Sequence, residues 1–439
     1  MTDEPSRQDL LEPQVDTDVP DQWYSLRKRK MPMDEEEKMS NLAKAMIAIL
    51  DSPENDDTEL ALLAAKHDLD IPIPRTYEEA IDDPNYGPQW KEAIWEEINS
   101  LVANGTWKEE LRLEHANLVS TKWVFTVKGN PDGTLERFKA RLVARGFLQV
   151  YGEDYTDTFA PTVRMDTLRI FLALVAAEDL ECNHFDIKNA FTKSTLKERI
   201  FLSKPKGVPV RDGYVLRVLR SLYGLKQSAR DWNLLCRDYL LEIGFKQSLA
   251  DPCLFTVPGT KIIILVYVDD ILFAAPSTTE VAWFDSKLSQ RFKTKNLGGI
   301  SKVLGIRITR DRKNKTIYLD QEQYLDSVLN RFGIPAGKHK SKKIPLSDYS
   351  QLRPAGPEDI RVNETLYQQM IGCLMYAIVH TRPDIAFTLG KLSQHLKDPV
   401  EHHMSALKNL MRYLRSTITY RLKYTIHGNP LLVMHSDAD

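Results

Sequence analysis

Apolar positions begin to recur regularly at about Tyr77. Trp90, Ile94, Trp95 and Ile98 stand at i, i+4, i+5 and i+8, which predicts an amphipathic helix with Glu92, Glu96 and Glu97 turned to water. Over residues 121–128 the period shortens to two: Trp123, Phe125 and Val127 alternate with polar neighbours. Gly129-Asn130-Pro131-Asp132-Gly133 then supplies turn residues, and a second alternating run starts at Leu135, so the stretch predicts a β-hairpin. A helix is expected over 167–177, a short strand ending at Asp186, and a long helical pattern from Ser221 to Ile243. The apolar runs 262–268 and 271–273 predict a second hairpin, and 304–310 with 316–319, around Arg312-Lys313-Asn314-Lys315, a third. Helical periodicity returns from Gln321, Glu364 and Pro399, and no internal repeat is found. Helices mixed with mostly antiparallel hairpins indicate an α+β architecture rather than a doubly wound parallel sheet.

Residues 1–74 break this regularity. They are rich in Asp, Glu, Pro and Ser, with two short helical patterns at 38–50 and 58–66 separated by Pro53, and the rest lacks the apolar surface to order itself, so the segment reads as a linker. The charge follows the same division. The whole chain carries 59 basic and 61 acidic side chains, a net of −2, but residues 1–74 hold 8 basic and 18 acidic ones, which leaves +8 for the remainder. A basic body behind an acidic head directs attention to nucleic acid. Arg27-Lys28-Arg29-Lys30 is shorter than the usual import cluster of about 5–8 basic residues, and a solvated run explains it equally well.

The 439 residues allow roughly three domains of about 150. Cys182, Cys236, Cys253 and Cys373 are too scattered for a disulfide scaffold or a CxxC zinc pair, which fits a reducing compartment. The longest apolar runs, 170–177 and 262–268, fall short of the about 18 residues of a membrane span, so no membrane association is expected. Met1 is followed by Thr, Asp, Glu and Pro without a secretory pattern, so the chain reads as intracellular and unprocessed at this end; a polyprotein fragment is equally compatible.

Candidate chemistry centres on Tyr267-Val268-Asp269-Asp270, two adjacent carboxylates at the tip of an apolar hairpin. Aspartates also make ordinary turns, but like charges held together call for a cation between them. Asp186 stands in a comparable place, where a strand runs into a turn; a strand-end cap explains it as well. If the two strands lie side by side, three carboxylates converge in an oxygen-rich site suited to Mg²⁺. Two such ions about 4 Å apart activate an attacking hydroxyl and stabilise a leaving oxygen. Between these acids, Ser221-Leu222-Tyr223-Gly224-Leu225-Lys226 precedes a helix, with Lys226 and Arg230 in reach of phosphate or simply solvated. Arg137, Lys139 and Arg141 share one strand face, which suits a triphosphate or protects a hairpin edge. Lys408, Arg412 and Arg415, at i, i+4 and i+7 opposite Leu407, Met411 and Leu414, form a basic helix face for a duplex backbone or for water. His402-His403 lacks a ligand set at zinc spacing and reads as helix surface.

These segments together resemble the reverse transcriptase region of copia-type long-terminal-repeat retrotransposon polyproteins, over residues 74–439. The resemblance rests on Trp123-Val124-Phe125, Lys139-Ala140-Arg141-Leu142-Val143-Ala144-Arg145-Gly146, Phe159-Ala160-Pro161, the Asp186 segment, Ser221 to Gln227, Tyr267 to Asp270, Leu304-Gly305-Ile306 and Thr381-Arg382-Pro383-Asp384-Ile385-Ala386, in family order. It implies a right-hand polymerase of fingers, palm and thumb: a linker over 1–74, fingers and palm over 75–335, thumb and connection helices over 336–430, and over 431–439 the first strand of a ribonuclease H-like domain, with Asp437 its first metal ligand. It implies two Mg²⁺ ions, with Mn²⁺ as an alternative, on Asp186 and Asp269, and Asp270 completing the catalytic acids. Lys139 and Arg141 would meet the triphosphate, Phe191 would exclude a ribose 2′-OH, and Tyr223, Gly224 and Tyr267 would contact nucleotide and template. Lys226, Arg230, Lys408, Arg412 and Arg415 would bind nucleic acid. The partners implied are an RNA template, a DNA primer and deoxynucleoside triphosphates, in a cytoplasmic particle or the nucleus.

The chain departs from the family at Thr192-Lys193-Ser194, in place of Leu, a variable residue and Gly, and at Ser228-Ala229, in place of Ala-Pro, which is expected to loosen the preceding loop. Protease, integrase and zinc-knuckle motifs are not found, so a truncated element without ribonuclease H activity is expected. An RNA-directed DNA polymerase and a relic that only binds nucleic acid both remain open on the sequence.

Overall fold

A computed structural model of the chain describes residues 71–129, 134–338 and 340–425. The basic run at 27–30, the helical patterns at 38–50 and 58–66, the turn 130–133 and the strand 431–439 with Asp437 lie outside the described residues.

Helix α1 (Tyr77–Ile81), capped by the Thr76 side chain, leads into α2 (Gly87–Ala103), which has Pro88 in its first turn. Trp90, Ile94 and Ile98 are buried as the helical period requires. Two expectations for α2 are corrected. Trp95 is 63% exposed, because i+5 falls off the stripe set by i, i+4 and i+8. Glu97, at i+7 from Trp90, lies on the inner side and is only partly exposed. Beyond β1 (Trp107–Leu111) and β2 (Leu118–Val119), strands β3 (Thr121–Gly129) and β4 (Leu135–Ala144) form the expected hairpin, pairing Trp123 with Leu142 and Val124 with Arg141. The inner side of this ribbon packs on α2: the Trp90 ring meets Phe125 at 5.3 Å and Phe138 at 4.6 Å, both edge to face. Such pairs contribute about 0.5–1.5 kcal/mol each beyond the area they bury.

Helix α3 (Met165–Ala177) precedes β5 (Glu181–Ile187), β6 (Phe201–Leu202), β7 (Tyr214–Val218) and α4 (Ser228–Glu242). Then come β8 (Lys246–Gln247), β9 (Leu254–Thr256), β10 (Ile263–Tyr267), β11 (Asp270–Ala275), α5 (Thr278–Arg291) and β12 (Thr294–Gly299). The central sheet has the order β12-β5-β11-β10-β9-β8 and is antiparallel throughout. Its two faces have separate cores, as the two-residue strand period demands. Phe185, Ile264, Val266, Ile271 and Phe273 face α4 and α5, meeting Trp232, Cys236 and Phe284. Cys182, Leu265, Leu272 and Ala274 face α3.

A further sheet, β13 (Lys302–Val303), β14 (Ile306–Asp311), β15 (Thr316–Asp320) and β16 (Leu422–Thr425), adds to the α3 side. Between β15 and β16 the chain forms α6 (Glu322–Arg331), α7 (Glu364–His380), α8 (Ala386–Ser393) and α9 (Glu401–Ser416). These helices share a core of their own running from Tyr324 to Leu414, so α6 packs with the later helices, ahead of the boundary expected at residue 335. The Arg382-Pro383-Asp384 motif is the interior tie of this unit. Arg382 is 1% exposed and bonds Asp384 (2.8 Å) and the Thr417 hydroxyl (2.7 Å).

His403 is fully buried rather than on the helix surface, with Nε2 2.8 Å from Arg353 O, Nδ1 accepting from Val400 N–H, and its ring stacked 3.7 Å from that of His395. Burial holds both histidines below the ordinary imidazole range, His395 down to about 4. No helix among the described residues is long and apolar enough to cross a membrane.

Candidate active site

The tip of the β10–β11 hairpin is a two-residue turn, Val268-Asp269, closed by the pair Tyr267–Asp270. Of the two central residues only Val268 has positive φ, at 52°, the pattern of a type II′ turn. A β-branched residue is strained there and needs outside support. Two hydrogen bonds supply it: the Trp232 indole N–H donates to Val268 O (2.5 Å), and Ile187 N–H donates to Asp269 O (2.9 Å). The second bond ties the turn to the end of β5, where Asp186 stands.

Asp186 and Asp270 are register partners across β5 and β11, so their side chains share one sheet face. Tyr267 joins the same row through Asp270, and Lys295 on β12 opposes Asp186 from the other side. Asp269 projects from the turn at the end of this row. Burial, with the charges of Asp270 and Asp186, pushes the Asp269 carboxyl above the ordinary carboxylate range; the Arg141 guanidinium acts the other way. Burial together with Asp270 and Asp269 likewise raises the Tyr267 phenol. His184, two residues before Asp186, places Nε2 2.6 Å from Asp270 Oδ1. The three acids are therefore not equivalent: Asp270 has a polar partner on the protein, whereas neither Asp186 nor Asp269 forms a salt bridge among the described residues.

The β3–β4 ribbon brings positive charge to this end of the sheet. Arg137, Lys139 and Arg141 lie on one face, opposite Lys128, Thr126 and Val124. Burial and the neighbouring charges of Arg141, Lys128 and Arg137 push the Lys139 ammonium down to about 8. Glu97 from α2 accepts a hydrogen bond from Leu142 N–H (3.3 Å) and lies within electrostatic reach of Lys139 and Arg141. It positions the cationic face, and its place at i+7 from Trp90 was the available signal.

The Tyr223 ring lies beneath the Arg141 guanidinium (5.3 Å) and meets the edge of Phe191 at 4.7 Å. Burial, reinforced by Asp269 and Asp186, raises its phenol to about 12. Asp186, Asp269, Arg141, Tyr223 and Phe191 are thus brought to one place by four separate stretches of chain.

The Tyr223-Gly224 turn packs backbone to backbone against the end of β4. Ala144 N–H donates to Tyr223 O (2.8 Å), and Gly224 has φ +87°. A Cβ on Gly224 would lie 2.0 Å from Ala144 O, and one on Gly146 2.2 Å from Gly224 O, so the glycines of the two motifs serve each other. The loop before Ser228-Ala229 has two ties. Ser228 Oγ donates to Leu222 O (2.6 Å), and Lys226 N–H donates to Gln149 Oε1 (2.7 Å).

The residues expected to meet nucleic acid divide. Lys226 is exposed, its ammonium 3.0 Å from the Tyr155 hydroxyl, and Arg230 pairs with Asp157 at 3.0 Å. Lys408 is exposed and Arg412 bonds Asn409 (2.9 Å). Arg415 is corrected: it turns inward onto α6, binding Asp326, Asn330 and Ile334 O, with a side chain 10% exposed. Its ion pair with Asp326 and its tie to Ile334 O are internal contacts, which removes it from a surface for a duplex.

Among the described residues no group of three or more His, Cys, Asp or Glu is gathered as a ready metal cluster. The donor chemistry still fits hard divalent ions: carboxylate oxygens in register, mutual repulsion felt by Asp269, and no protein cation paired with Asp186 or Asp269 among the described residues.

A family model described as reverse transcriptase (RNA-dependent DNA polymerase) matches residues 105–347, more than half of the chain. The chain belongs to the reverse transcriptase family. Within that family it is of the copia retrotransposon type. It is 35% identical over 376 residues to the retrovirus-related Pol polyprotein from transposon TNT 1-94 of Nicotiana tabacum, covering 83% of this chain and 28% of that protein. It is 36% identical to the Pol polyprotein from transposon RE1 of Arabidopsis thaliana, covering 83% and 25%. A putative transposon Ty5-1 protein of Saccharomyces cerevisiae is 30% identical over 262 residues, 58% of this chain and 82% of that one. The chain spans about a quarter of the length of the two plant relatives. A solved structure of the foamy viral protease-reverse transcriptase in complex with double-stranded DNA matches at 16% identity and a TM-score of 0.37, over 74% of this chain and 48% of that one.

Proposed function

We propose that this reverse transcriptase chain is an RNA-directed DNA polymerase. The observation that carries the proposal is the register of Asp186 with Asp270, with Asp269 at the adjoining turn, beside the Arg141–Tyr223–Phe191 group of the basic ribbon and its neighbours. The central sheet with α4 and α5 would be the palm, the ribbon with α2 the fingers, and α6 to α9 the thumb and connection.

In this reading the primer 3′-hydroxyl oxygen bonds to the α-phosphorus of a deoxynucleoside triphosphate. The bond to the β-phosphate bridging oxygen breaks, and pyrophosphate leaves. Mg²⁺ ions on Asp186 and Asp269, with Mn²⁺ as the alternative, would when bound lower the charge on the reacting phosphate and favour the ionised hydroxyl. The chain's own work is positioning and charge. Lys139 and Arg141 face the triphosphate, Tyr223 and Gly224 form the floor under the nucleotide, and Phe191, held by Tyr223, closes the side where a ribose 2′-OH would project. Tyr267 flanks the acids, and Lys226, Arg230, Lys408 and Arg412 meet the template and primer strands.

Primer extension on an RNA template with Mg²⁺ tests the proposal, and absence of any incorporation overturns it. Its pH dependence tests Lys139. The charged ammonium binds the triphosphate and is lost as pH rises through about 8, so KM for the deoxynucleotide should rise up to about tenfold between pH 7 and 9 while kcat changes less. In Lys139→Arg, which keeps its charge, KM should stay flat. A rise of the same size in that variant would remove Lys139 from the role.

A further inference from the structure

A cavity of about 540 Å³ opens beside α4, lined neither by the three carboxylates nor by Arg141 or Tyr223. Helix α4 turns Trp232, Cys236 and Tyr239 onto the sheet face opposite the acid row, and it is a different side of the helix that borders the cavity. Five cations line it: Lys193, Lys197, Arg220, Arg230 and Arg291. Its two acids already have partners, for Asp231 lies 4.0 Å from Arg230 and Asp238 accepts from Arg237 at 2.7 Å. Arg230 is also paired, with Asp157. That leaves Lys193, Lys197, Arg220 and Arg291 with no carboxylate partner among the described residues. Lys193 reaches only the neutral Asn104 side chain (3.0 Å), and Arg220 only the backbone oxygen of Lys193 (3.2 Å). Their crowding is felt: burial, then Arg220 and Lys293, lower the Lys193 ammonium from its ordinary range.

Two further observations narrow the ligand. Ser194, 3% exposed, lines the same cavity with its hydroxyl buried and without a hydrogen-bond partner among the described residues. A buried hydroxyl left unpaired is unfavourable, and a ligand acceptor would offset that. Leu234, Leu235 and Phe292 supply an apolar side. A basic rim, one orphan donor and an apolar wall, in a volume within the ~300–1,000 Å³ of small-molecule pockets, match a compact anion bearing a flat apolar group. A nucleic-acid backbone following an open surface would not use such a wall.

We infer that this cavity is an accessory site for a single nucleoside diphosphate or triphosphate, its phosphates on Lys193, Lys197, Arg220 and Arg291 and its base against Leu234, Leu235 and Phe292. The site is independent of the polymerase reading, since no catalytic carboxylate takes part.

Equilibrium dialysis of ADP against the full chain in EDTA tests it, the chelator suppressing metal-dependent nucleotide binding at the carboxylates. Saturable binding of one ADP per chain is expected. Lys197→Gln combined with Arg291→Gln, both at exposed positions, should weaken it at least about tenfold, equivalent to ~1.4 kcal/mol. Tyr223→Ala should leave it unchanged. No saturable binding, equal binding by the double variant, or loss in Tyr223→Ala overturns the proposal; inorganic pyrophosphate binding as tightly as ADP overturns its nucleoside half. The double variant should extend primers within about twofold of wild type, since neither side chain is among the groups placed at the reacting phosphate. A chain that binds ADP but extends no primer would fail the polymerase reading alone.

Discussion

Asp269→Asn should reduce single-turnover primer extension by at least about 10³-fold while leaving the chain folded. The turn that carries Asp269 is held through main-chain atoms, Val268 O by Trp232 and Asp269 O by Ile187 N–H, and both ties remain when the carboxylate is replaced. Asparagine has the same shape and is at home in turns. What is lost is the charge, at the one carboxylate pushed upward by burial and by both of its acidic neighbours. The apo protein should therefore be at least as stable in the variant, read as a thermal midpoint at or above that of wild type, since repulsion has been removed. Asp270→Asn should cost less activity, because His184 already partners Asp270 at 2.6 Å. A rate within tenfold of wild type for Asp269→Asn, or the reverse ranking of the two variants, would overturn the assignment of Asp269 as the principal acid.

Gly224→Ala should be the most damaging conservative change outside the acids. At φ +87° an alanine costs about 1–2 kcal/mol in backbone strain alone. Its Cβ would also lie 2.0 Å from Ala144 O, which is backbone and has no rotamer to change. Relief requires the end of β4 to separate from the turn, breaking the Ala144 N–H to Tyr223 O bond, a further ~1 kcal/mol, and moving Tyr223 from beneath Arg141. The expected total is at least about 3 kcal/mol, measured by urea unfolding, with nucleotide KM raised in whatever fraction folds. Gly213→Ala provides the comparison. Its φ is +80°, but nothing lies within 4 Å of the added carbon, so it should show the strain without the collision. Equal losses for the two variants would show that the close approach to β4 is not what Gly224 is for.

How much of this was legible in the chain depends on the range of the interaction involved. The hairpins, α3, α4 and the helices after Gln321 followed from local periodicity, because a buried face imposes its own spacing. The acids at the hairpin tip stood out because two charges interrupt an apolar run. Their pairing with Asp186 was a different matter: it is a register between Asp186 and Asp270, 84 positions apart, and nothing local encodes it. The same applies to the indole of Trp232 on Val268 O. Glu97 was misread because Trp95 drew the predicted stripe toward itself, although the i+7 spacing from Trp90 already pointed inward. His403 and Arg415 were assigned to the surface because their partners, Arg353 O, Asp326 and Ile334 O, come from distant segments. Local pattern thus anticipated elements well and the chemistry of single residues only where the residue broke the pattern.

Strands β15 and β16 are immediate neighbours, with Leu319 opposite Leu422, yet the whole of α6 to α9 lies between them in the chain. Topologically the helical unit is the loop of a hairpin. Closing a loop of that length from an unfolded chain costs entropy that grows with its logarithm. A loop that has already folded on its own core delivers its two ends together and removes most of that cost. The helical unit, whose buried core among the described residues runs from Tyr324 to Leu414 with Ile418 packed against it, should therefore acquire its structure first, and the pairing of β16 with β15 should register its completion.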